Sequence, residues 1–462
     1  MFQNKPTIRQ ALRIIIVGCG KVGITLVENL TKEGNDVTII DKNPEKVQEV
    51  SNLHDIMGIV GNGASYSVQM EADIDHADLF IAVTDSDELN LLCCTVARRV
   101  GNCAAIARVR TPDYSKEGSY LREKLDLALI INPELQTARE MARILYLPTA
   151  LEVNSFAHGQ AEMIKFKIPE NNLLDEMTIA RLGKTIAPNL LICAVEREGE
   201  VYIPSGNFRL SKGDLISFVA PHKEAIAFLK TIGFKTHQVR NTMIIGGGRS
   251  AYYLADQLLR MGISVKIIEQ NRERCEELSI LLPKAVIING DGTDEELLKE
   301  EEIQTIESFV PLTGIDEENI LLTLYARKMS NAKVITKINR MNFKQVVSSL
   351  DLGSVIYPRY ITSEAIIAYA RAKKNSMGSN IETLYYMFDS RVEAIEFRVY
   401  EESPLTHVPL MKLALKKNLL IAFINRNGKI IIPSGQDTIE VGDTVMVVTT
   451  HTGFHDIKDI VG

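Results

Sequence analysis

The chain reads as an α/β protein: two parallel-sheet domains, each followed by a small α+β domain. Three observations predict this. First, 45% of the 462 residues are hydrophobic and 24% charged, the balance of a globular chain with several cores; at roughly 150 residues per domain the length alone suggests about three. Second, the chain repeats itself. Gly18-Cys19-Gly20 returns as Gly246-Gly247-Gly248, 228 positions on, and Pro204-Ser205-Gly206 as Pro433-Ser434-Gly435, 229 on. Nine of the 28 positions in 14–41 and 12 of the 26 in 189–214 are identical in the second copy. A unit of about 229 residues is far too long for a solenoid repeat, so whole domains have been duplicated. Third, apolar strand-sized runs alternate with helical stretches in the first part of each copy, which argues a parallel sheet covered on both faces.

Taken in order, Arg13–Val17 is an apolar strand, and Val22–Leu30 is a helix with Val22, Leu26, Val27 and Leu30 on one face. Strands follow at Val37–Ile40, Met57–Val60, Leu79–Val83, Ala105–Val109 and Leu127–Ile131, with a helix over Glu88–Val100. The pattern then changes: Val153–Ile168 and Leu190–Val195 read as strands, and Gly199, Pro204-Ser205-Gly206 and Gly213-Asp214 are closely spaced turn signals. The second copy repeats the plan with strands at Met243–Ile245, Val265–Ile268, Val286–Ile288, Phe309–Leu312, Val334–Ile338 and Val355–Tyr357. The expected domains are 13–150, 151–233, 241–375 and 385–462. The connector Phe234–Asn241 is short and polar, so the copies are expected to pack together as a pseudo-dimer.

Composition removes several classes. Lys+Arg 52 against Asp+Glu 59 gives a net charge of −7, against the basic footprint of a nucleic-acid binder. Apolar runs such as Ile14–Val17 are strand-sized, far below the ~18 residues of a membrane span. The opening MFQNKPTIRQALR has no apolar core, so no signal peptide is expected. The six cysteines, at 19, 93, 94, 103, 193 and 275, form no CxxC pair and suit neither a zinc site nor a disulfide framework. They read as small core residues in a reducing, cytoplasmic compartment. The adjacent Cys93–Cys94 is the one pair with a redox alternative, and no metal site is expected.

Chemistry concentrates in the glycine turns. Gly18-x-Gly20-x-x-Gly23 follows a strand, opens a helix, and has Asp41 at the end of the next strand. That is the context in which the motif holds a dinucleotide: a tight turn, close backbone approach to a pyrophosphate, and the positive end of a helix. Asp41 is placed to accept from ribose hydroxyls, which favours NAD over NADP, a preference that adjacent Lys42 softens. The second copy has Gly246, Gly248 and Glu269, with Ala251 in place of the third glycine; it either binds nucleotide in the same way or is a degenerate domain kept for an interface. The acid lies 23 residues from the first glycine in both. Lys21 and Arg249 follow the second glycine, where a cation reaches a phosphate or is simply solvated; Arg108 and Lys337 are weaker versions of that idea. Asn62-Gly63 and Asp291-Gly292 lie beside an adenine or make a turn. Thr84 and Thr313 follow the fourth strands at the edge of the same crevice. Asp87-Glu88 and Asn90 recur as Asp316-Glu317 and Asn319.

No acid–base partner accompanies these turns. The histidines, at 54, 76, 158, 222, 237, 407, 451 and 455, show no pairing with a carboxylate in a motif, and Ser205 and Ser434 have no base. A nucleotide site without chemistry beside it points to a sensor. An NAD-dependent oxidoreductase and a regulator of a different cation carrier remain as alternatives.

The segments IIIVGCGKVGITLVENL, VTIIDKNP, GNGAS and AVTDSDELN, with the paired PSG and GD turns, together resemble the TrkA family, the tandem RCK (KTN) regulatory subunits of Trk potassium-uptake systems. The resemblance covers residues 13–462. It implies Rossmann-like RCK N-lobes followed by TrkA_C-like small lobes, and no enzymatic activity. It implies NAD(H), and also ATP or ADP, as nucleotides held by Gly18, Cys19, Gly20, Lys21, Val22, Gly23 and Asp41, and in the second copy by Gly246, Gly248, Arg249, Ala251 and Glu269. It further implies a ring of dimers or tetramers on the cytoplasmic face of a membrane-embedded potassium channel subunit of the Trk or Ktr type. The apolar faces Leu135, Ala138, Met141, Ala142 and Leu145, after Asn132-Pro133, and Ile366, Ile367, Tyr369 and Ala370, opened by Thr362 or Ser363, resemble the crossover helices that join neighbouring modules.

Overall fold

In a computed structural model of the chain, residues 11–157, 160–187, 189–234, 236–339, 347, 349–374, 381–388 and 391–462 are described. The first ten residues, His158 and the expected domain end at 375 lie outside them.

The first copy opens with a parallel sheet of six strands: β1 (Arg13–Val17), β2 (Asp36–Asp41), β3 (Met57–Val60), β4 (Leu79–Ala82), β5 (Ala104–Arg108) and β6 (Leu129–Ile131). Their order is β3-β2-β1-β4-β5-β6. Continuous burial of Ile14–Val17 and Leu79–Ala82 explains why these strands are unbroken apolar runs: helices cover both faces. The order reverses between β1 and β4, which opens a crevice at their carboxyl ends. A five-stranded antiparallel sheet follows, β7 (Glu152–Phe156), β8 (Ala161–Lys167), β9 (Leu191–Arg197), β10 (Glu200–Tyr202) and β11 (Leu215–Pro221), in the order β10-β9-β11-β8-β7.

The second copy repeats both sheets. Strands β12 (Asn241–Ile245), β13 (Ser264–Glu269), β14 (Val286–Asn289), β15 (Ser308–Pro311), β16 (Lys333–Lys337) and β17 (Ser354–Ile356) take the order β14-β13-β12-β15-β16-β17. Strands β18 (Ile381–Met387), β19 (Val392–Arg398), β20 (Leu419–Arg426), β21 (Lys429–Ile431) and β22 (Thr444–Thr449) take the order β18-β19-β22-β20-β21.

Three local expectations are corrected. Val153–Ile168 is two strands, β7 and β8, paired antiparallel with Phe156 opposite Ala161; both alternate apolar and polar residues, and alternation alone does not reveal a reversal. The last long helix opens at Pro358, not at Thr362 or Ser363, which are buried within it; Pro at the first helical position is the signal that was available. Gly213-Asp214 and Gly442-Asp443 are more than turns. Gly213 and Gly442 have φ of +85° and +95°. Asp214 and Asp443 are buried and accept the guanidinium of Arg197 at 2.8 and 2.7 Å and of Arg426 at 2.9 and 2.8 Å. Each small sheet is thus stapled by a bidentate pair whose partners lie 17 residues apart.

The chain forms two compact units. One comprises the chain up to Pro133 with Arg359–Ile381; the other comprises Glu134–Pro358 and Glu382–Gly462. Within the first unit the helix Pro358–Lys374, late in the second copy, joins the first parallel sheet. Its Arg371, 2% exposed, donates through Nε to Glu33 Oε2 at 2.9 Å and through Nη2 to Oε1. Within the second unit the helix Pro133–Tyr146, from the first copy, meets the helix Arg249–Arg260 along a cleft lined by Tyr146, Gln257 and Met261. The two small sheets share one apolar core there, with Phe156, Met163 and Val219 against Met387, Ala394 and Phe423.

Candidate nucleotide site

Strand register builds the site. Val17 pairs with Ile40, and the Gly18 amide donates to the Ile40 carbonyl at 2.8 Å. The next residues, Cys19 and Asp41, are therefore brought together, and the Cys19 amide donates to Asp41 Oδ2 at 2.6 Å. Asp41 Oδ1 accepts the Asn43 amide at 2.9 Å. The second copy is built alike: Gly246 N to Ile268 O at 2.8 Å, Gly247 N to Glu269 Oε2 at 2.6 Å, and Asn271 N to Glu269 Oε1 at 2.7 Å. The longer glutamate reaches the same two amides.

The three glycines of the first turn serve three needs. Gly18 has φ +112°, and a Cβ there would stand 3.1 Å from the Val83 carbonyl and the Thr84 amide. Gly23 packs so closely that a Cβ would lie 1.9 Å from the Gly18 carbonyl. A Cβ on Gly20 meets nothing within 4 Å, and the same holds for Gly248: these two face the open crevice. Ala251 carries the methyl that Gly23 has no room for, so the second turn cannot superpose on the first at this point. The Cys19 side chain is buried in the turn, and burial with Asp41 nearby pushes its thiol up to about 12.

The helices that follow, Lys21–Lys32 and Arg249–Arg260, begin at Gly20 and Gly248 with no side-chain cap and no acid in the first turn. The longer helices Asp87–Val100 and Asp316–Met329, by contrast, carry acids in their first turns. Two helix N-termini therefore point unneutralised amides into the crevice, where an anion is favoured. Lys21 and Arg249 are exposed beside them, with no ion pair among the described residues. Val22 is buried and belongs to the helix's packed face.

The remaining candidates shape the crevice. Thr84 donates its amide and hydroxyl to Asn90 Oδ1 at 2.8 and 2.7 Å, and Asn90 Nδ2 donates to the Arg108 carbonyl at 2.9 Å. Thr313 and Asn319 repeat this at 3.0 and 2.9 Å, with the Lys337 carbonyl as third partner. Both asparagines are fully buried; their recurrence in the repeat was visible, their role as staples of the crevice wall was not. Arg108 is also buried. It donates to the Thr84 carbonyl and meets Asp85 Oδ1 at 3.2 Å, so its guanidinium braces the same loop. Lys337 donates to the Leu312 carbonyl at 3.0 Å. Asn62 and Asp291 close local turns onto Ala64 N and Thr293 N. Gly63 and Gly292 allow close approach to Val17 and Ile245, where a Cβ would come within 2.3 and 2.2 Å.

Among the described residues several histidines acquire carboxylates that the sequence pattern did not pair: His76 with Asp73 at 2.6 Å, His222 with Glu162 at 2.9 Å and, more loosely, His407 with Glu402 at 3.9 Å. His76 precedes β4, at the end opposite the crevice, and His222 follows β11. All six cysteines are buried and unpaired in disulfides. Among the described residues no metal-binding cluster of His, Cys, Asp or Glu occurs, and no helix is long and apolar enough to cross a membrane.

Comparison with known proteins places this arrangement. The TrkA-N domain matches residues 14–133 and 242–358, and the TrkA-C domain matches 163–233 and 394–462. A Trk system potassium uptake protein TrkA homolog of Archaeoglobus fulgidus is 33% identical over 97% of this chain and 100% of its own length. The chain belongs to the TrkA family. A TrkA homolog of Methanosarcina mazei is 31% identical over 97% of this chain and 99% of its own. Among solved structures, the GsuK channel superposes with a TM-score of 0.65 at 17% identity, covering 97% of this chain and 78% of that one. The GsuK channel bound to NAD gives 0.63 at 18%, with the same coverage. These likenesses bear on the fold, two Rossmann-like TrkA-N lobes each followed by a TrkA-C lobe.

Proposed function

We propose that this chain is a nucleotide-binding regulatory subunit of a potassium-uptake system, responding to NAD(H) and to ATP or ADP without turning them over. One observation carries the reading: each copy presents an uncapped helix N-terminus beside an acid held against the glycine turn, Asp41 at Cys19 and Glu269 at Gly247. The full-length similarity to TrkA proteins supports the physiological role.

In this reading Gly18, Cys19, Gly20, Lys21 and Gly23 receive the pyrophosphate and Asp41 the ribose; Gly246, Gly248, Arg249 and Glu269 do so in the second lobe. Thr84, Arg108 and Thr313 hold the crevice wall, with Asn62, Gly63 and Asp291 at its rim. The lobes are 13–150, 151–233, 241–375 and 385–462. The helix Lys21–Lys32 links ligand to assembly: its N-terminus faces the nucleotide, and Glu33 at its C-terminus grips Arg371. Nucleotide shifts the population of module geometries by its differential affinity, typically ~1–3 kcal/mol per site. A ring of such modules, at the cytoplasmic face of a membrane-embedded potassium channel subunit, sums these terms. In this reading NADH is bound and not consumed.

Calorimetry with NAD, NADH, ATP and ADP tests binding. Potassium flux in liposomes holding the membrane subunit, with and without this chain and each nucleotide, tests regulation. A flux indifferent to the chain under every nucleotide rejects the role, and sustained NADH oxidation with small carbonyl compounds points to an oxidoreductase instead.

A further inference from the structure

A cavity of about 720 Å³ lies within the second unit, where the loop before β7, the connector through His237 and the edge of the second parallel sheet meet. It stands at the amino ends of β15 and β16, away from the crevice at their carboxyl ends. Its volume falls inside the roughly 300–1,000 Å³ of small-molecule sites.

The charges facing it do not balance. Four basic groups line it, Lys167, His237, Arg327 and Lys333, against two acids, Glu307 and Asp351. Both acids are engaged: Glu307 accepts the Arg240 backbone amide at 2.7 Å and pairs with its guanidinium, and Asp351 pairs with Arg327. Lys333 spends one of its three ammonium donors on the Ala150 carbonyl. Among the described residues no carboxylate pairs with Lys333 or Lys167. Burial, reinforced by the neighbouring Arg327, pushes the Lys333 ammonium down to about 7, the response of a cation without a counter-ion.

The duplication sharpens the point. Arg327–Asp351 has its counterpart in Arg98–Asp126 of the first copy. The residue that opens β5 there is Ala104, whereas Lys333 opens β16. The extra cation is present only in the copy whose edge adjoins the first small sheet and forms this cavity.

We infer that the cavity is a second effector site, for a small polyanion bearing two or more phosphate or carboxylate charges, held by Lys333 and Lys167 with His237 at the rim. This site shares no lining residue with the glycine turns.

The test uses the full chain saturated with NAD, so that the glycine turns are already filled, and titrates inorganic pyrophosphate and citrate by calorimetry. One further binding event per chain is expected with at least one of them, and which one separates phosphate from carboxylate chemistry. Lys333→Met should weaken it by about tenfold or more, the loss of a charged hydrogen-bonding partner, while Lys333→Arg largely retains it and NAD affinity stays unchanged. Binding should take up protons near pH 7.5, read as a dependence of enthalpy on the buffer. Acetic anhydride labelling of the unmodified chain, read by mass spectrometry, should mark Lys333 without the anion and spare it with the anion, which covers the case in which Lys333→Met does not fold. Absence of binding by both anions, equal affinity in a folded Lys333→Met, or Lys333 labelling indifferent to anion overturns the proposal. NAD binding is read before any anion is added, so its failure counts against the nucleotide site alone.

Discussion

The carboxylate of Asp41 accepts the Cys19 amide at 2.6 Å, one strand end tied to the glycine turn of its neighbour. The acid therefore does two jobs, bracing the loop and standing where a ribose would bind. Asp41→Ala should weaken NAD binding at the first site by ~1.5–3 kcal/mol, the value of a hydrogen bond to a charged group. Glu269→Ala should do the same at the second site alone. Calorimetry that finds wild-type NAD affinity in both variants would place the nucleotide elsewhere.

Gly23 and Ala251 occupy equivalent positions with opposite tolerance. Gly23→Ala drives a methyl to 1.9 Å from the Gly18 carbonyl, and overpacking of this kind typically costs about 1–3 kcal/mol. Ala251→Gly removes a buried methyl that is already accommodated and should cost the helix propensity, about 1 kcal/mol, plus a buried-methyl contribution of about 0.8 kcal/mol, without driving any atom into the turn. The thermal transition that NAD shifts should fall more for Gly23→Ala, with NAD affinity reduced as the turn opens.

The Arg371–Glu33 pair is predicted to hold its helix to the first lobe. Arg371→Met takes the two-pronged guanidinium contact from half-buried Glu33 and should destabilise that unit by about 1.5–3 kcal/mol, the range of hydrogen bonds to charged groups. Glu33→Leu combined with Arg371→Met should restore much of the loss. Hydrogen exchange over Pro358–Lys374 reads the effect locally. Equal protection in wild type and Arg371→Met would show that apolar packing alone holds the helix.

Glu140, on the helix Pro133–Tyr146, is pushed from its ordinary 4.5 up to about 8, chiefly by burial, with Glu152 adding to it and Arg143 opposing. An acid whose folded pKa is raised stabilises the fold while protonated. That contribution is complete below about 4.5 and is lost as pH rises to about 8. Glu140→Gln should flatten the thermal stability profile between those limits. A profile unchanged by the substitution would mean that Glu140 is solvated and ionised.

Burial pushes Cys19, Cys93 and Cys193 thiols up to about 12 and Cys103 up to about 11, and raises Cys94 and Cys275. The thiolate is the reactive form. At pH 8 the native chain should consume almost no thiol reagent, and all six cysteines should react in denaturant. Fast reaction of Cys93 or Cys94 in the native state would revive a redox role for that pair.

Much of this protein is written in its local pattern. The duplication, the parallel sheets and the glycine turns with Asp41 and Glu269 follow from identities, apolar runs and a fixed 23-residue spacing, because strand, turn and helix N-terminus are built by consecutive residues. The hairpin inside Val153–Ile168, the opening of a helix at Pro358 and the staples formed by Asn90, Asn319, Asp214 and Asp443 were not recovered. Each depends on a partner that the one-dimensional pattern does not name. Tertiary structure alone decided that Arg371 meets Glu33 across 338 positions, that the two small sheets share a core, and that Lys333 faces a cavity whose two acids are paired with arginines. Such pairings are set by which surfaces are buried together, and burial acts on neighbours in space whatever their separation along the chain.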